Sequence, residues 1–119
     1  MAFDFSANTP IYYQIAQLIE IGIISGEYLP GERLPSVRDL ALKLKVNPNT
    51  VQRSLTDLED EGLIFTERTN GKFVTTDSSL INSRREKYAS ALAREYLERM
   101  QKIGFDSTDA IKHLKKQEE

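Results

Sequence analysis

Residues 46–62 read VNPNTVQRSLTDLEDEG, and the positions in that stretch describe a helix with two unlike ends. Its start is marked three times: Asn47 can cap with its side-chain oxygen, Pro48 suits the first helical position, and Asn49 and Thr50 follow as small polar groups. The helix therefore begins near Pro48. Val51, Leu55 and Leu58 recur at helical spacing and face a core, which leaves Asn49, Gln52, Arg53 and Thr56 on other faces. The first half is polar and cationic. Toward Gly62, a C-terminal stop, the sign reverses, with Asp57, Glu59, Asp60 and Glu61 crowded together. Free N–H groups and a partial positive charge at a helix N-terminus favour phosphate, so the basic end suits a nucleic acid and the acidic end should point away.

Just upstream, Ser36-Val37-Arg38-Asp39 has the form of a capping box, and Leu40, Ala41 and Leu44 supply the buried face of a short helix ending near Lys45. Only Val46 and Asn47 separate it from the next helix, the spacing of a helix-turn-helix. Many helical cores contain such a turn, so the pair alone is weak evidence for DNA binding. Downstream, residues 63–67 (LIFTE) read as a strand, Arg68 to Gly71 as a turn and residues 72–76 (KFVTT) as the return strand. The hairpin tip carries Arg68, Asn70 and Lys72. A helical core followed by a cationic hairpin is the layout of a winged helix, with the third helix in the major groove and the wing on backbone or minor groove.

Charge is concentrated where that geometry needs it. The whole chain has 119 residues and a formal net charge of only -2, yet between residues 33 and 53 the cations Arg33, Arg38, Lys43, Lys45 and Arg53 are opposed only by Asp39. Arg33, Lys43, Lys45 and Lys72 are candidate phosphate contacts, supplying salt-sensitive affinity. Gln52 can bond adenine bidentately, and Arg53 can bond guanine or phosphate. Arg38 has a blander alternative, an ion pair with Asp57 or Glu61.

Before this region, Met1 to Asn8 is a short leader whose Phe3 and Phe5 can pack on the domain or on a partner subunit. Thr9-Pro10 starts a first helix, with Ile11, Tyr12, Ile15, Leu18, Ile19 and Ile23 as an apolar stripe ending at Gly26. Residues 26–35, GEYLPGERLP, form an ordered loop with a short strand at Glu32 to Leu34. Its glycines belong to turns, since no GxxxxGK[ST] phosphate-binding pattern follows.

After the hairpin, Asp77-Ser78-Ser79 is a polar hinge before a long helix from Leu80 to Ile103. Tyr88, Leu92, Tyr96, Leu97, Met100 and Ile103 line one broad face of it. Gly104 stops that helix, and Asp106 or Ser107 caps a last one carrying Ile111 and Leu114. Two helices are too few to enclose a metabolite, but folded back as a hairpin they can bury these apolar residues against a second copy. Homodimerisation is the economical expectation; packing on the chain's own winged domain is the alternative.

Other classes fare poorly. With no cysteine there is neither a disulfide nor a thiolate metal site, and the cytoplasm is the simplest location. The most apolar run, Ile15 to Ile24, is short and interrupted by Gln17, Glu20 and Gly22, so no membrane partner is expected. The single histidine, His113, sits among lysines, where solvent exposure is expected, and no nucleophile elbow or histidine–carboxylate cluster exists. Neither an enzyme nor a cofactor or metal site is expected.

The run PGERLPSVRDLALKLKVNPNTVQRSLTDLEDEGLI, residues 30–64, continued by NGKFV at 70–74, closely resembles the GntR family of bacterial winged-helix transcription regulators. TPIYYQIAQLIEIGIISGEYLPGERLPS, residues 9–36, resembles the same family's first helix and loop. The resemblance implies DNA contact from Arg38, from Asn47, Asn49, Thr50, Gln52 and Arg53, and from Gly71 and Lys72 in the wing. Arg33, Ser36, Lys45, Arg68 and Asn70 complete the candidate DNA-binding set. Where the family often has two glycines near the wing tip, this chain has Thr69 and then Gly71, which bears on the wing's path. The short two-helix ending resembles the YtrA subfamily, whose members look like dimeric repressors often encoded beside membrane transporter genes.

The expectation is thus a mainly α chain with a small β-hairpin. A winged helix-turn-helix DNA-binding domain over residues 1–76 precedes a two-helix dimerisation segment over 77–119. Double-stranded DNA and a second copy are the expected partners, the operator palindromic with half-sites roughly 34 Å apart. Loss of Arg53 or Arg38 should weaken operator binding by about 1–3 kcal/mol if a bidentate base contact goes with it. A small-molecule effector between the winged domain and the C-terminal helices is a further expectation, with Tyr12, Tyr13, Tyr88 or Tyr96 lining the gap or simply belonging to the core. The competing class is a winged-helix adaptor that binds protein; the basic 33–53 segment argues against it.

Overall fold

The computed structural model describes residues 8–119, so the expectation for Phe3 and Phe5 lies outside the described residues. Five helices and one hairpin follow in the order α1 (Ile11–Ile24), α2 (Val37–Leu44), α3 (Pro48–Asp60), β1 (Ile64–Glu67), β2 (Gly71–Val74), α4 (Ser78–Lys102) and α5 (Ser107–Gln117). They fall into two compact units, Met1–Asn82 and Ser83–Glu119.

The first unit is built on α1 and α3. Ile15, Ile19 and Ile23 from α1 and Val51, Leu55 and Leu58 from α3 are buried, with Leu34, Leu40, Ala41, Leu63, Ile64 and Val74 around them. Ile11, expected in the stripe, is 45% exposed, and burial begins one turn later. Gln14, buried at that turn, donates from its side-chain amide to the Thr9 carbonyl (2.7 Å). Gly22 is required by packing: a Cβ there would lie 2.8 Å from the Tyr28 ring. Burial, then the Glu27 and Glu32 carboxylates, hold the Tyr28 phenol pKa above its usual value.

Both helices of the turn are capped by their own side chains. Ser36 Oγ accepts from the Asp39 N–H (3.0 Å), and Asn47 Oδ1 accepts from the Asn49 N–H (2.8 Å), with Pro48 in the first turn. Between them Lys45 adopts a left-handed conformation (φ 57°), the one non-glycine residue to do so among those described. An L-residue gives up about 1–2 kcal/mol there, so the turn is enforced by packing on either side. After α3, Gly62 at φ 81° redirects the chain, and the Leu63 N–H donates to the Leu58 carbonyl (3.0 Å).

The hairpin is antiparallel, pairing Ile64 with Val74, Phe65 with Phe73, Thr66 with Lys72 and Glu67 with Gly71. The tip is therefore three residues, Arg68 to Asn70, and Gly71 lies in the strand and not in the turn expected from local sequence. Gly71 takes φ 98°, and a Cβ there would lie 3.2 Å from Arg33 Nε, so glycine answers both the backbone and the close approach. Thr69 needs no positive φ. The strand expected at Glu32 to Leu34 is reduced to one bridge, Arg33 with Phe73. Flanking bonds from Leu34 N–H to the Lys72 carbonyl (2.8 Å) and Val74 N–H to the Glu32 carbonyl (2.9 Å) tie this loop to the wing.

α4 starts at Ser78, two residues before the expected Leu80, because Asp77 Oδ1 accepts from the Leu80 N–H (3.1 Å) and so draws Ser78 and Ser79 into the first turn. In the second unit Gly104, at φ 99°, ends the long helix and Asp106 caps α5 through the Asp109 N–H (2.9 Å). The helix pair is fastened by the Tyr96 hydroxyl donating to the Ala110 carbonyl (2.6 Å), with Ala110 fully buried. His113 departs from the expected exposure: it is half-buried, its ring edge-on to Phe105 at 4.9 Å. Phe105 follows the Gly104 turn and folds back on α5, a contact that local sequence does not show.

Candidate nucleic-acid interface

The α1–α3 packing turns the polar face of α3 outward. Asn47, Asn49, Gln52, Arg53 and Thr56 are exposed and Thr50 is half-buried, while no acidic residue lies in the first turn. Gln52 and Thr56 are linked, the Thr56 hydroxyl donating to the Gln52 carbonyl (2.9 Å) and the Gln52 amide reaching Thr56 Oγ1 at 3.5 Å. Arg53 is not extended into open solvent: its guanidinium carbon lies 3.6 Å from the centroid of the Tyr12 ring on α1. The neighbouring Ser54, fully buried, shares its hydroxyl between the Tyr12 carbonyl (2.6 Å) and the Thr50 carbonyl (3.0 Å).

Arg38, the second residue of α2, is exposed and forms no ion pair among the described residues, so the alternative pairing with Asp57 or Glu61 is not what the fold makes. Ser36 is committed to its cap. Lys45 projects from the strained turn and is exposed.

A groove of about 270 Å³ separates the start of α2 from the wing, lined by Arg33, Ser36, Val37, Arg68, Thr69, Gly71 and Lys72 among others. Arg68, which lines this groove, is exposed, as is Asn70 at the hairpin tip, whose side-chain amide donates to Glu67 Oε2 (3.2 Å). Lys72 differs in being already engaged: its Nζ donates to Thr66 Oγ1 (2.8 Å) and lies 3.8 Å from Glu59 Oε1, while the Thr66 hydroxyl donates to the same carboxylate. One acidic residue at the end of α3 thus fastens the wing and offsets the charge of Lys72. Tyr12, Ser54, Glu59 and Thr66 are the participants that sequence reasoning missed.

The residues read as a dimerisation face lie in α4 and α5. Leu92 is 63% exposed, Ile103 69%, Ile111 51%, Leu114 50% and Leu97 37%, whereas Tyr88, Tyr96 and Met100 are half-buried. Leu92, Tyr96, Met100 and Ile103 share a shallow depression of about 420 Å³ with Glu95 and Arg99 at its edge. Among the described residues no cluster of His, Asp or Glu is placed to hold a metal ion, and no helix is long and apolar enough to cross a membrane.

The family of bacterial regulatory proteins described as the gntR family matches residues 11–74, from the first residue of α1 to the last of β2. The chain belongs to the GntR family. As a member it is a DNA-binding transcription regulator and not an enzyme. It is 32% identical over 112 residues to the uncharacterized HTH-type transcriptional regulator YhcF of Bacillus subtilis, covering 94% of this chain and 93% of that one. It is 41% identical over 75 residues to the HTH-type transcriptional repressor YtrA of the same organism, covering 63% of this chain and 58% of YtrA. Among solved structures, a GntR family transcriptional regulator from Listeria monocytogenes superimposes with a TM-score of 0.86 at 38% identity, covering 94% of this chain and 98% of its own. The AraR DNA-binding domain, solved in complex with operator ORX1, gives a TM-score of 0.56 at 26% identity over 63% of this chain and 92% of that one. The GntR match ends at Val74, so the wing falls inside it and both C-terminal helices outside.

Proposed function

We propose that this GntR regulator is a cytoplasmic, dimeric, sequence-specific repressor that binds a palindromic operator in double-stranded DNA, of the YtrA type and associated with a transporter operon. The observation that carries the DNA-reading part is the exposed, acid-free start of α3, which presents Asn49 and Gln52, together with an exposed Arg38 that forms no ion pair among the described residues. AraR, bound to its operator, and YtrA, named a repressor, support it by likeness. Residues 1–76 are the DNA-binding part and 77–119 the dimerisation segment, supported by the exposed Leu92, Ile103, Ile111 and Leu114. Two copies related by a two-fold axis present two recognition helices to half-sites about one helical turn apart. An effector remains part of the reading as a class of regulation, although Tyr12 and Tyr96 are already engaged by Arg53 and the Ala110 carbonyl.

The test is selection of bound sequences from random duplex DNA, followed by titration of the winner at two salt concentrations. An inverted repeat bound with steep salt dependence is the expected result; no enrichment would remove the operator-binding claim. In the same assay Arg38→Ala is expected to lose about 1–3 kcal/mol on the selected operator and less on a scrambled duplex, the mark of a base contact. Equal loss on both would make Arg38 a phosphate contact.

Lys72 gives a prediction of opposite sign. Glu59→Gln removes the carboxylate facing the Lys72 amine, and is expected to tighten DNA binding and steepen the salt dependence toward one more neutralised phosphate, a slope change of up to about 0.9. The lost ion pair is partly exposed and contributes at most about 1 kcal/mol to stability, so folding should be little changed. Weaker binding in Glu59→Gln would show that anchoring the wing outweighs the freed charge.

A further inference from the structure

Arg53 could read a guanine edge or hold a phosphate, and residue type alone leaves both open. We infer that Tyr12 fixes Arg53 as a phosphate clamp at the margin of the recognition helix, leaving base reading on that helix to Asn49 and Gln52. This rests on the DNA-binding reading above and assigns a role within it.

Three observations carry the inference. The Arg53 guanidinium lies 3.6 Å from the Tyr12 ring centroid, so one face of its plane is covered by α1 while the N–H groups around its edge stay free to donate. The backbone that carries the ring is itself anchored, because the buried Ser54 hydroxyl donates to the Tyr12 carbonyl at 2.6 Å. Adjacent residues of α3 therefore grip one residue of α1, one by its side chain and one by its main chain. Finally, Gln52 and Arg53 are successive on α3, which turns their side chains about 100° apart. Arg53 leans on α1, whereas Gln52 is linked along its own helix to Thr56.

A guanidinium drawn back onto a neighbouring helix cannot also extend to the groove floor. What it can reach from the flank is the sugar–phosphate backbone, where a preset plane with free edge donors matches two phosphate oxygens. Tyr12 is thus a positioning residue that acts through Arg53.

The test uses the full chain and two probes, the duplex that wild type selects from random DNA and a scrambled duplex, each titrated across a salt series. Arg53→Ala is expected to lose the same factor on both duplexes and to lower the slope of log K against log salt by about 0.9, one phosphate. Tyr12→Leu keeps the carbonyl that Ser54 needs and should lose roughly two- to fivefold on both, the scale of an exposed cation–π contact. Tyr12→Phe, which keeps the ring, should match wild type. In an Arg53→Ala background Tyr12→Leu should do nothing further. Proton NMR of the free protein should show ring-current-shifted Arg53 methylene signals that Tyr12→Leu removes and Tyr12→Phe keeps.

Greater loss on the selected duplex than on the scrambled one in Arg53→Ala would overturn the clamp, and that arm decides whether or not the Tyr12→Leu chain folds. Unchanged binding by folded Tyr12→Leu would overturn the positioning role. Wild type that binds neither duplex would instead overturn the DNA-binding reading, and the clamp with it.

Discussion

Replacement of Leu55 by alanine is expected to lower the unfolding free energy by about 3 kcal/mol, within the usual range for a fully buried leucine. Leu55 has no exposed surface and sits at the middle of α3, with Val51 and Leu58 buried on the same face. Truncation loses the transfer free energy of the deleted carbons and leaves a cavity that two packed helices cannot easily close. Set against a total stability of about 5–15 kcal/mol for small domains, the loss is large. It should be visible in urea denaturation as a lower midpoint with an unchanged m-value. DNA binding should be retained wherever the chain remains folded, because Leu55 is buried in the core whereas Asn49 and Gln52 are exposed. A loss below about 1 kcal/mol would mean that α1 can move in to fill the space, and the rigid α1–α3 platform would be the wrong description.

The second large effect concerns the C-terminal helices. If the chain dimerises through α4 and α5 as proposed, Leu92→Glu combined with Ile103→Glu is expected to leave a monomer and to weaken operator binding by roughly 10²–10⁴-fold, the usual advantage of two linked binding events over one. Both side chains are more than three-fifths exposed in the single chain, at 63% and 69%, so the substitutions disturb little within it. In a dimer the same positions would be desolvated, and an unpaired carboxylate buried there is strongly unfavourable. Light scattering gives the mass, and titration on the selected palindrome gives the affinity. If the double variant stays dimeric, the α4 stripe is not the interface. If it becomes monomeric yet binds the palindrome as tightly as before, dimerisation does not drive operator recognition.

These two experiments probe different kinds of information in the chain. The apolar spacing that makes Leu55 a core residue is a property of consecutive residues, legible in the sequence alone. The same spacing marks the Leu92 stripe as a face that needs cover, and in the single chain Leu92 and Ile103 are exposed whereas Tyr88, Tyr96 and Met100 are half-buried. The GntR resemblance draws on such local marks too, arranged in order along about two thirds of the chain.

What the sequence determined by itself was whatever depends on near neighbours. The Asn47 cap, Pro48 in the first turn, the Ser36 cap and the Gly62 and Gly104 stops involve groups within a few residues of one another, so backbone geometry alone couples them. Tertiary structure decided the partners of the long polar side chains. The Ser54 hydroxyl meets a carbonyl 42 residues away, Arg53 lies on a ring from another helix, and Lys72 is held by Glu59 and Thr66 and not left open at the wing. Gly71 has the local look of a turn glycine, yet it lies in a strand with Arg33 from a distant loop pressed against it. The physical reason is common to all four. Apolar periodicity says which face of an element is buried, but a guanidinium, ammonium or hydroxyl takes its partner from whichever neighbouring element the packed core brings within about 3–4 Å.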